Sequence, residues 1–196
     1  MSASTDTSLV EFYTQHKISP VRQDLSDLRA HVERRAALYR HLGLLPMAIA
    51  GRTVLEIGPG SGANSLYTAS LRPVRYVLVE ANPTGVDDIE RLFAAHPDWR
   101  RGLEVQPMLL GEYAKQAGGA RFDVVLCEGV LSGVPNPEEI LQQAAGFVAP
   151  GGVLVITCID HISYFPDTLR RLCARRLIRP DQSLREQVAV LRPVFR

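Results

Sequence analysis

The sequence predicts an α/β fold with a doubly wound, mainly parallel sheet. Short apolar runs rich in valine, leucine and isoleucine alternate with longer helical stretches through the middle of the chain. A glycine-rich turn follows the first of these runs. Strands that alternate with helices pair in parallel, and their carboxyl ends then meet at the edge of the sheet where such folds bind ligands.

The first predicted part is an N-terminal helical segment, residues 1–50. Apolar residues recur at steps of three and four from Leu25 to Tyr39, which predicts an amphipathic helix, and an earlier helical stretch covers 9–17. We interpret the segment as a cap or lid, and the alternative is a packing helix with solvated polar side chains. The candidate lid residues are Tyr13, His16 and Lys17.

The second predicted part is a core domain, residues 51–160, with the alternating pattern. Strands are expected near residues 53–57, 76–80, 103–106, 122–127 and 152–158. Helices are expected near residues 63–71, 84–95, 110–118 and 137–148, and a further helix near 166–178 lies in the tail. Pro150-Gly151-Gly152 supports the start of the last strand, because proline ends a helix and glycine permits a positive-φ turn.

The third predicted part, residues 161–196, is a helical basic tail with eight arginines against three acidic residues. We interpret it as an amphipathic helix with a solvated arginine face, and an anion-binding surface is the alternative. At most one strand is expected there, at Val188–Leu191, so the C-terminal strands of the sheet are incomplete. Either the sheet closes unusually, or the tail begins a further, missing region, which we favour.

The turn after the first strand predicts a cofactor cradle. Gly58, Gly60 and Gly62 permit backbone angles and a close approach that a Cβ atom would obstruct. The first amides of the next helix, together with the positive end of its dipole, attract a polar group. The ligand is therefore expected to contact the backbone of this turn.

Two cofactor classes fit the spacing of the turn. Gly58-x-Gly60-x-x-Ala63 satisfies a relaxed dinucleotide fingerprint, and Glu80 follows at the distance expected of a ribose-binding acid. This pattern fits NAD. Glu56, just before the turn, would repel a pyrophosphate, whereas the ammonium and sulfonium of S-adenosylmethionine (SAM) would attract it. Charge therefore favours SAM.

Four segments together resemble the class I SAM-dependent methyltransferases, in the order of that family. They are Glu56–Gly62, Tyr76–Pro83, Phe122–Leu131 and Val148–Thr157. The resemblance covers roughly residues 50–160 and implies a Rossmann-like fold with SAM as cofactor and S-adenosylhomocysteine as product. It implies transfer of a methyl group to an oxygen, nitrogen or carbon atom of a small-molecule acceptor.

The resemblance also assigns cofactor-binding residues. Glu80 would accept hydrogen bonds from both ribose hydroxyls. Met108 and Leu109 would sandwich the adenine, because no acidic residue follows the third strand before Glu112. Glu128 would form a wall of the pocket or accept a hydrogen bond from the substrate. The full set is Glu56, Gly58, Gly60, Gly62, Asn64, Glu80, Ala81, Met108, Leu109 and Glu128.

Methyl transfer requires the donor and the nucleophile in line, and a hydroxyl or amine acceptor also loses a proton. The base candidates are Asp160 and His161, after the fifth strand, and His16 in the lid, with Tyr164 as a further alternative. Each has an alternative reading as an ordinary exposed residue, and positioning alone can suffice. Two other functions stay open: an NAD(P)-binding oxidoreductase domain and a non-catalytic SAM-fold module.

Composition limits the partners. The net charge of +1 and the sparse aromatic residues around the arginines argue against nucleic acid. No apolar run reaches the ~18 residues of a membrane span, and the N-terminus lacks a signal-peptide pattern, so we predict a cytoplasmic protein without a membrane partner. No histidine, cysteine or acidic spacing predicts a metal. The sequence leaves the oligomeric state open.

Overall fold

The computed structural model describes residues 5–19, 23–179 and 181–195. The helices and strands follow one another as α1 (Thr5–His16), α2 (Leu28–His41), β1 (Thr53–Ile57), α3 (Ser65–Ser70), β2 (Arg75–Val79), α4 (Pro83–Ala94), β3 (Leu103–Gln106), α5 (Leu110–Gln116), β4 (Phe122–Cys127), α6 (Pro137–Gly146), β5 (Val148–Ile156), α7 (His161–Leu177) and α8 (Leu184–Leu191). The chain divides into two compact units, residues 1–157 and 158–196. The predicted division into a cap, a core and a tail stays a prediction.

The first unit contains one five-stranded sheet in the order β3-β2-β1-β4-β5, and every neighbouring pair is parallel. Strand order reverses at β1, which pairs with β2 on one side and β4 on the other. This confirms the predicted doubly wound α/β fold. Ile57 lies opposite Val79, and Val79 lies opposite Gln106, so the carboxyl ends of β1, β2 and β3 are level.

Two hydrophobic clusters fill the two faces of the sheet, because successive strand residues point to opposite sides. Val54 and Tyr76 face one cluster with Tyr39 of α2 and Phe93 of α4. Leu55 faces the other cluster, which includes residues of α5 and α6. Each face of the sheet is therefore covered by helices, which explains why the buried strands read as nearly continuous apolar runs.

Strand β5 starts earlier than predicted, at Val148. Pro150-Gly151-Gly152 lies within the strand, where the register against β4 shifts between Phe122 and Val124. Gly151 has φ of +77°. The proline and glycines therefore form an irregularity inside the strand and do not mark its beginning.

The second unit contains α7 and α8. The expected strand at Val188–Leu191 is wrong, because these residues end α8. Ser183 caps this helix, and Ser183 and Glu186 form a capping box that stabilises its first turn. No strand beyond β5 occurs in the described part of the chain. Among the described residues, no helix has the length and apolar character needed to cross a membrane.

Candidate functional site

The turn after β1 has glycine at three alternate positions where the backbone takes a positive φ. Gly58, Gly60 and Gly62 have φ of +64°, +61° and +76°. A Cβ on Gly58 would lie 2.7 Å from Cγ2 of Val130, and one on Gly62 would lie 2.9 Å from Cγ1 of Ile89. The backbone conformation therefore favours glycine at all three positions, and close packing adds a second reason at Gly58 and Gly62.

Glu80 joins this turn to the end of β2. The side chain is only 8% exposed. One carboxylate oxygen accepts a hydrogen bond from the backbone N–H of Gly60 at 2.8 Å, and the other accepts one from the N–H of Asn82 at 2.8 Å. Burial raises the pKa of Glu80, and these backbone hydrogen bonds oppose the shift.

A cavity of about 400 Å³ lies at the carboxyl ends of β1 to β4. Its wall brings together five predicted cofactor-binding residues, namely Gly58, Glu80, Ala81, Met108 and Leu109. Val130, Val134 and Ile140 add apolar surface on the side of β4 and α6. The cavity therefore combines a largely apolar wall with one buried carboxylate, a combination typical of a ligand site.

Glu56 has a different environment from Glu80. It is 5% exposed, and its carboxylate accepts a hydrogen bond from the hydroxyl of Tyr76. Burial raises the pKa of Glu56 to about 7, the hydrogen bond from Tyr76 opposes this shift, and the nearby charge of Glu128 adds to it. Asn64, another predicted binding residue, is half-buried at the start of α3 and makes no side-chain capping bond.

Glu128 is paired with the N-terminal helix α2. Its carboxylate forms an ion pair with Arg35 and accepts a hydrogen bond from the hydroxyl of Tyr39 at 2.9 Å. Arg35 also donates to that hydroxyl at 3.1 Å. The Arg35 and Glu128 side chains are 13% and 17% exposed. We call Arg35, Tyr39, Glu56, Tyr76 and Glu128 the charged network.

Sequence reasoning missed Arg35, and it also missed His31. The ring of His31 is buried, and its Nε2 lies 3.0 Å from the carbonyl oxygen of Ala63, at the end of the glycine turn. A carbonyl only accepts, so Nε2 carries the proton. Burial lowers the pKa of His31, which keeps the ring neutral. The helical period of α2 identified a packing face, but nothing in it indicated these partners.

The candidate catalytic residues have mostly local contacts. His16 is half-buried, and the centroid of its ring lies 4.5 Å from the ring centroid of Phe12. Asp160, in the second unit, is exposed and caps α7 by accepting hydrogen bonds from the amides of Ile162 and Ser163. Hydrogen bonds from Ser163 lower its pKa. His161 starts α7, and its side chain lies outside the described structure.

The other two lid candidates, Tyr13 and Lys17, lie in different surroundings. Tyr13 lines the cavity, whereas Lys17 is exposed and has φ of +49° just after α1. In the described residues, no group of three or more histidine, cysteine or acidic side chains is placed to hold a metal ion. The catalytic roles of His16, Asp160 and His161 stay predictions.

Comparisons with known proteins identify the family of the chain. The family described as "Methyltransferase domain" matches residues 28–176. A ubiquinone biosynthesis O-methyltransferase of Psychrobacter arcticus is 30% identical over 76% of this chain and 56% of the relative. A thiol S-methyltransferase of Rattus norvegicus is 29% identical over 65% of this chain and 50% of the relative. The chain thus spans about half the length of these curated relatives.

Two solved structures share the fold of this chain. The CcbJ methyltransferase of Streptomyces caelestis has a TM-score of 0.50 and 29% identity, over 65% of this chain and 49% of that one. A precorrin 8W decarboxylase of Methanobacterium thermoautotrophicum, at 21% identity, shares the fold with a TM-score of 0.55, over 79% and 74% of the two chains. The chain belongs to the class I SAM-dependent methyltransferases, as its motifs predicted. The oxidoreductase alternative is not favoured.

Proposed function

We propose that this chain binds SAM in the cavity and transfers its methyl group to a small-molecule acceptor. The observation that carries the proposal is Glu80. Its buried carboxylate lies at the cavity wall and holds the glycine turn through Gly60. Carboxylate oxygens have several lone pairs, so Glu80 can accept two ribose hydroxyl bonds while keeping its backbone partners.

The cavity fits the adenosyl part of SAM. Met108, Leu109 and Val130 provide apolar surface for an adenine ring. Gly58 lines the cavity without a side chain, so a ligand can approach its backbone closely. A preformed pocket of this kind reduces the entropy lost on binding.

The charged network fits the methionine part of SAM. Methionine carries one carboxylate and one ammonium, and the network offers one guanidinium, on Arg35, and two carboxylates, on Glu56 and Glu128. We propose that Arg35 pairs with the methionine carboxylate, and that Glu128 and Glu56 attract the ammonium and the sulfonium. Arg35 and Glu128 keep some exposure, so a ligand can reach them.

The residues of this chain would contribute mainly by binding and orientation. Bound SAM supplies an electrophilic methyl group on sulfur. Glu80 and the charged network would fix the two ends of the cofactor, and the apolar wall would exclude water from it. His16, Asp160 and His161 stay the candidates for accepting a proton from the substrate.

The acceptor is a small molecule in this proposal. Relatives named as an O-methyltransferase and a thiol S-methyltransferase support an oxygen or sulfur atom as the position methylated. Neither carbon nor nitrogen has comparable support from the two named relatives. We also propose a cytoplasmic location, as the sequence predicts.

Calorimetric titration of the full chain with SAM, S-adenosylhomocysteine and NADH tests the cofactor site. We expect binding of the two adenosyl ligands only, and a loss of at least about 100-fold in affinity for Glu80→Ala, because hydrogen bonds to a charged group contribute about 1.5–3 kcal/mol each. The matched control is Glu104→Ala, a carboxylate on β3 that pairs with Arg75 and does not line the cavity. Binding of NADH alone, or equal losses in both variants, would contradict the proposal.

Turnover is tested separately, with SAM and a panel of small thiols and hydroxyl compounds, by measuring formation of S-adenosylhomocysteine. Product formation that Glu80→Ala abolishes and Glu104→Ala retains is the expected result. Binding without turnover on any acceptor would instead support the non-catalytic module.

A further inference from the structure

Helix α1 contributes two side chains to the cavity wall. Val10 and Tyr13 are three residues apart on this helix, so they share a face. We propose that these two residues cover the adenosyl part of the cofactor, and that Asn82 is the positioning residue that holds α1 against the cavity. This inference rests on the proposed function.

Asn82 is only 2% exposed, and three of its hydrogen bonds support this inference. Its backbone N–H donates to Glu80 at 2.8 Å, and its side-chain oxygen accepts from the N–H of Thr84 at 3.1 Å, which caps α4. Its side-chain nitrogen donates to the carbonyl oxygen of Ile18 at 2.9 Å. The amide orientation follows from the partners, because Thr84 offers a donor and Ile18 offers an acceptor.

The end of α1 presents the Ile18 carbonyl to Asn82. Lys17 takes the left-handed conformation after the last helical residue, His16. The N–H of Ile18 then bonds back to the carbonyl of Tyr13 at 3.1 Å. This termination fixes the chain direction after α1. The bond to Asn82 therefore holds the same short segment that carries Tyr13.

The contacts connect α1 to the carboxylate that we assign to the ribose. Glu80 binds Gly60 through one oxygen and Asn82 through the other, and Asn82 binds Ile18. A ligand that orders Glu80 thus also orders the residue that holds α1. Because α1 has only 12 residues, its helix is marginal without packing, so amide exchange in α1 reports whether it is docked.

Two variants separate the roles of Asn82. Asn82→Asp and Asn82→Ser both keep an oxygen that can cap α4, and both remove the side-chain N–H that donates to Ile18. The serine hydroxyl can also donate, but its side chain is one heavy atom shorter than that of asparagine. Asn82→Ser adds no charge beside Glu80. We expect α1 amides to exchange at least about tenfold faster in both variants, with α4 amides unchanged, since one hydrogen bond is lost.

Hydrogen exchange of the full chain, with and without S-adenosylhomocysteine, provides the test. In the unmodified protein the ligand should slow exchange in α1. Both Asn82 variants and Tyr13→Ala should bind the ligand about tenfold more weakly, and Tyr13→Phe should bind nearly normally, because the ring supplies most of the contact.

The outcomes separate this inference from the proposed function. If the ligand binds with dependence on Glu80 but α1 exchange is the same in all variants, the inference fails and the function stands. Normal affinity in both Asn82 variants and in Tyr13→Ala would also overturn it. If the unmodified chain does not bind the ligand, the proposed function fails and the inference fails with it.

Discussion

Glu56 and Glu80 lie near the ends of adjacent strands, and both are nearly buried, yet their surroundings differ. Glu56 lies within β1, where strand alternation directs it into the sheet face covered by α2 and α3, and a tyrosine hydroxyl binds it. Glu80 lies just past the end of β2, where backbone amides of two loops bind it beside the cavity.

The difference teaches that position relative to the strand end decides whether a carboxylate contributes first to stability or first to ligand binding. A carboxylate inside the strand must be satisfied by the core, so it affects stability first. A carboxylate past the strand end is satisfied by loop amides and keeps lone pairs for a ligand, so it affects affinity first. The contributions of the two ends of the site to affinity can be measured with two ligands. S-adenosylhomocysteine contains both the adenosyl part and the amino-acid part, whereas 5′-methylthioadenosine lacks the amino-acid part.

Arg35→Leu is expected to have the largest effect on stability. It leaves Glu128 without its ion-pair partner in a poorly solvated place, which costs about 3–5 kcal/mol in the free energy of unfolding. Affinity for S-adenosylhomocysteine should fall, and affinity for methylthioadenosine should not. Urea unfolding and calorimetry measure the two effects.

The control for this prediction is Arg34→Leu, because Arg34 is the exposed neighbour on the same helix. The double variant Arg35→Leu/Glu128→Leu should recover most of the lost stability, since it removes the uncompensated charge as well. A loss of methylthioadenosine affinity equal to that of S-adenosylhomocysteine would contradict the separation of the two ends.

Glu56→Gln should change how stability depends on pH. The folded pKa of Glu56, about 7, lies above its ordinary value of 4.5. The folded state therefore binds the proton more tightly than the unfolded state. The stability that Glu56 gains from this tighter proton binding is fully present below pH 4.5 and is lost as pH rises through 7. Glu56→Gln should remove this decline and make the protein about 3 kcal/mol more stable than the unmodified chain at pH 8.

Two other groups shape the same pH profile. Glu80, with a raised pKa, acts in the same direction as Glu56, while His31, with a lowered pKa, reduces stability as pH falls below 6.5. Glu80→Gln is the matched variant, and it should weaken binding of both adenosyl ligands. Urea unfolding between pH 5 and 8 measures the profile, and an unchanged slope in Glu56→Gln would refute the assignment.

Glycine substitutions should distinguish the two sides of the turn. Gly58→Ala places a methyl group against Val130 at the cavity and should mainly reduce affinity. Gly62→Ala presses on Ile89 in the core and should cost about 1–2 kcal/mol of stability. Gly118→Ala, at φ of +56° with nothing within 4 Å, isolates the backbone strain. Thermal unfolding and calorimetry compare the three, and equal effects would show that strain alone matters.

Much of the fold was predictable because its signals are local. Apolar runs, the glycine turn and the residue at the end of β2 need only neighbouring sequence to be recognised. The four apolar residues Val188–Leu191 were misassigned, since so short a run fits either a strand or a helix. The serine and glutamate three residues apart before them, a capping-box signature, indicated the helix.

The charged network was not predictable in the same way. Arg35 and Glu128 are 93 residues apart, and the helical period of α2 does not say which of two adjacent arginines faces the sheet. Strand alternation places Glu56 on one face but does not identify Tyr76 as its partner. Such contacts depend on the crossing of α2 over the sheet, which tertiary packing determines.

His31 gives the smallest and last prediction. Its hydrogen bond connects α2 to the glycine turn through the carbonyl of Ala63, and not to Glu56 or Glu80. We therefore expect a substitution of His31 to change affinity at both ends of the site equally. His31→Phe replaces the imidazole with a somewhat larger apolar ring and leaves that carbonyl without its donor, and loss of the hydrogen bond costs about 1 kcal/mol of stability. Both adenosyl ligands should lose affinity by the same small factor. His41→Phe, an exposed histidine on the same helix, is the control. A loss confined to S-adenosylhomocysteine would instead place His31 with the charged network.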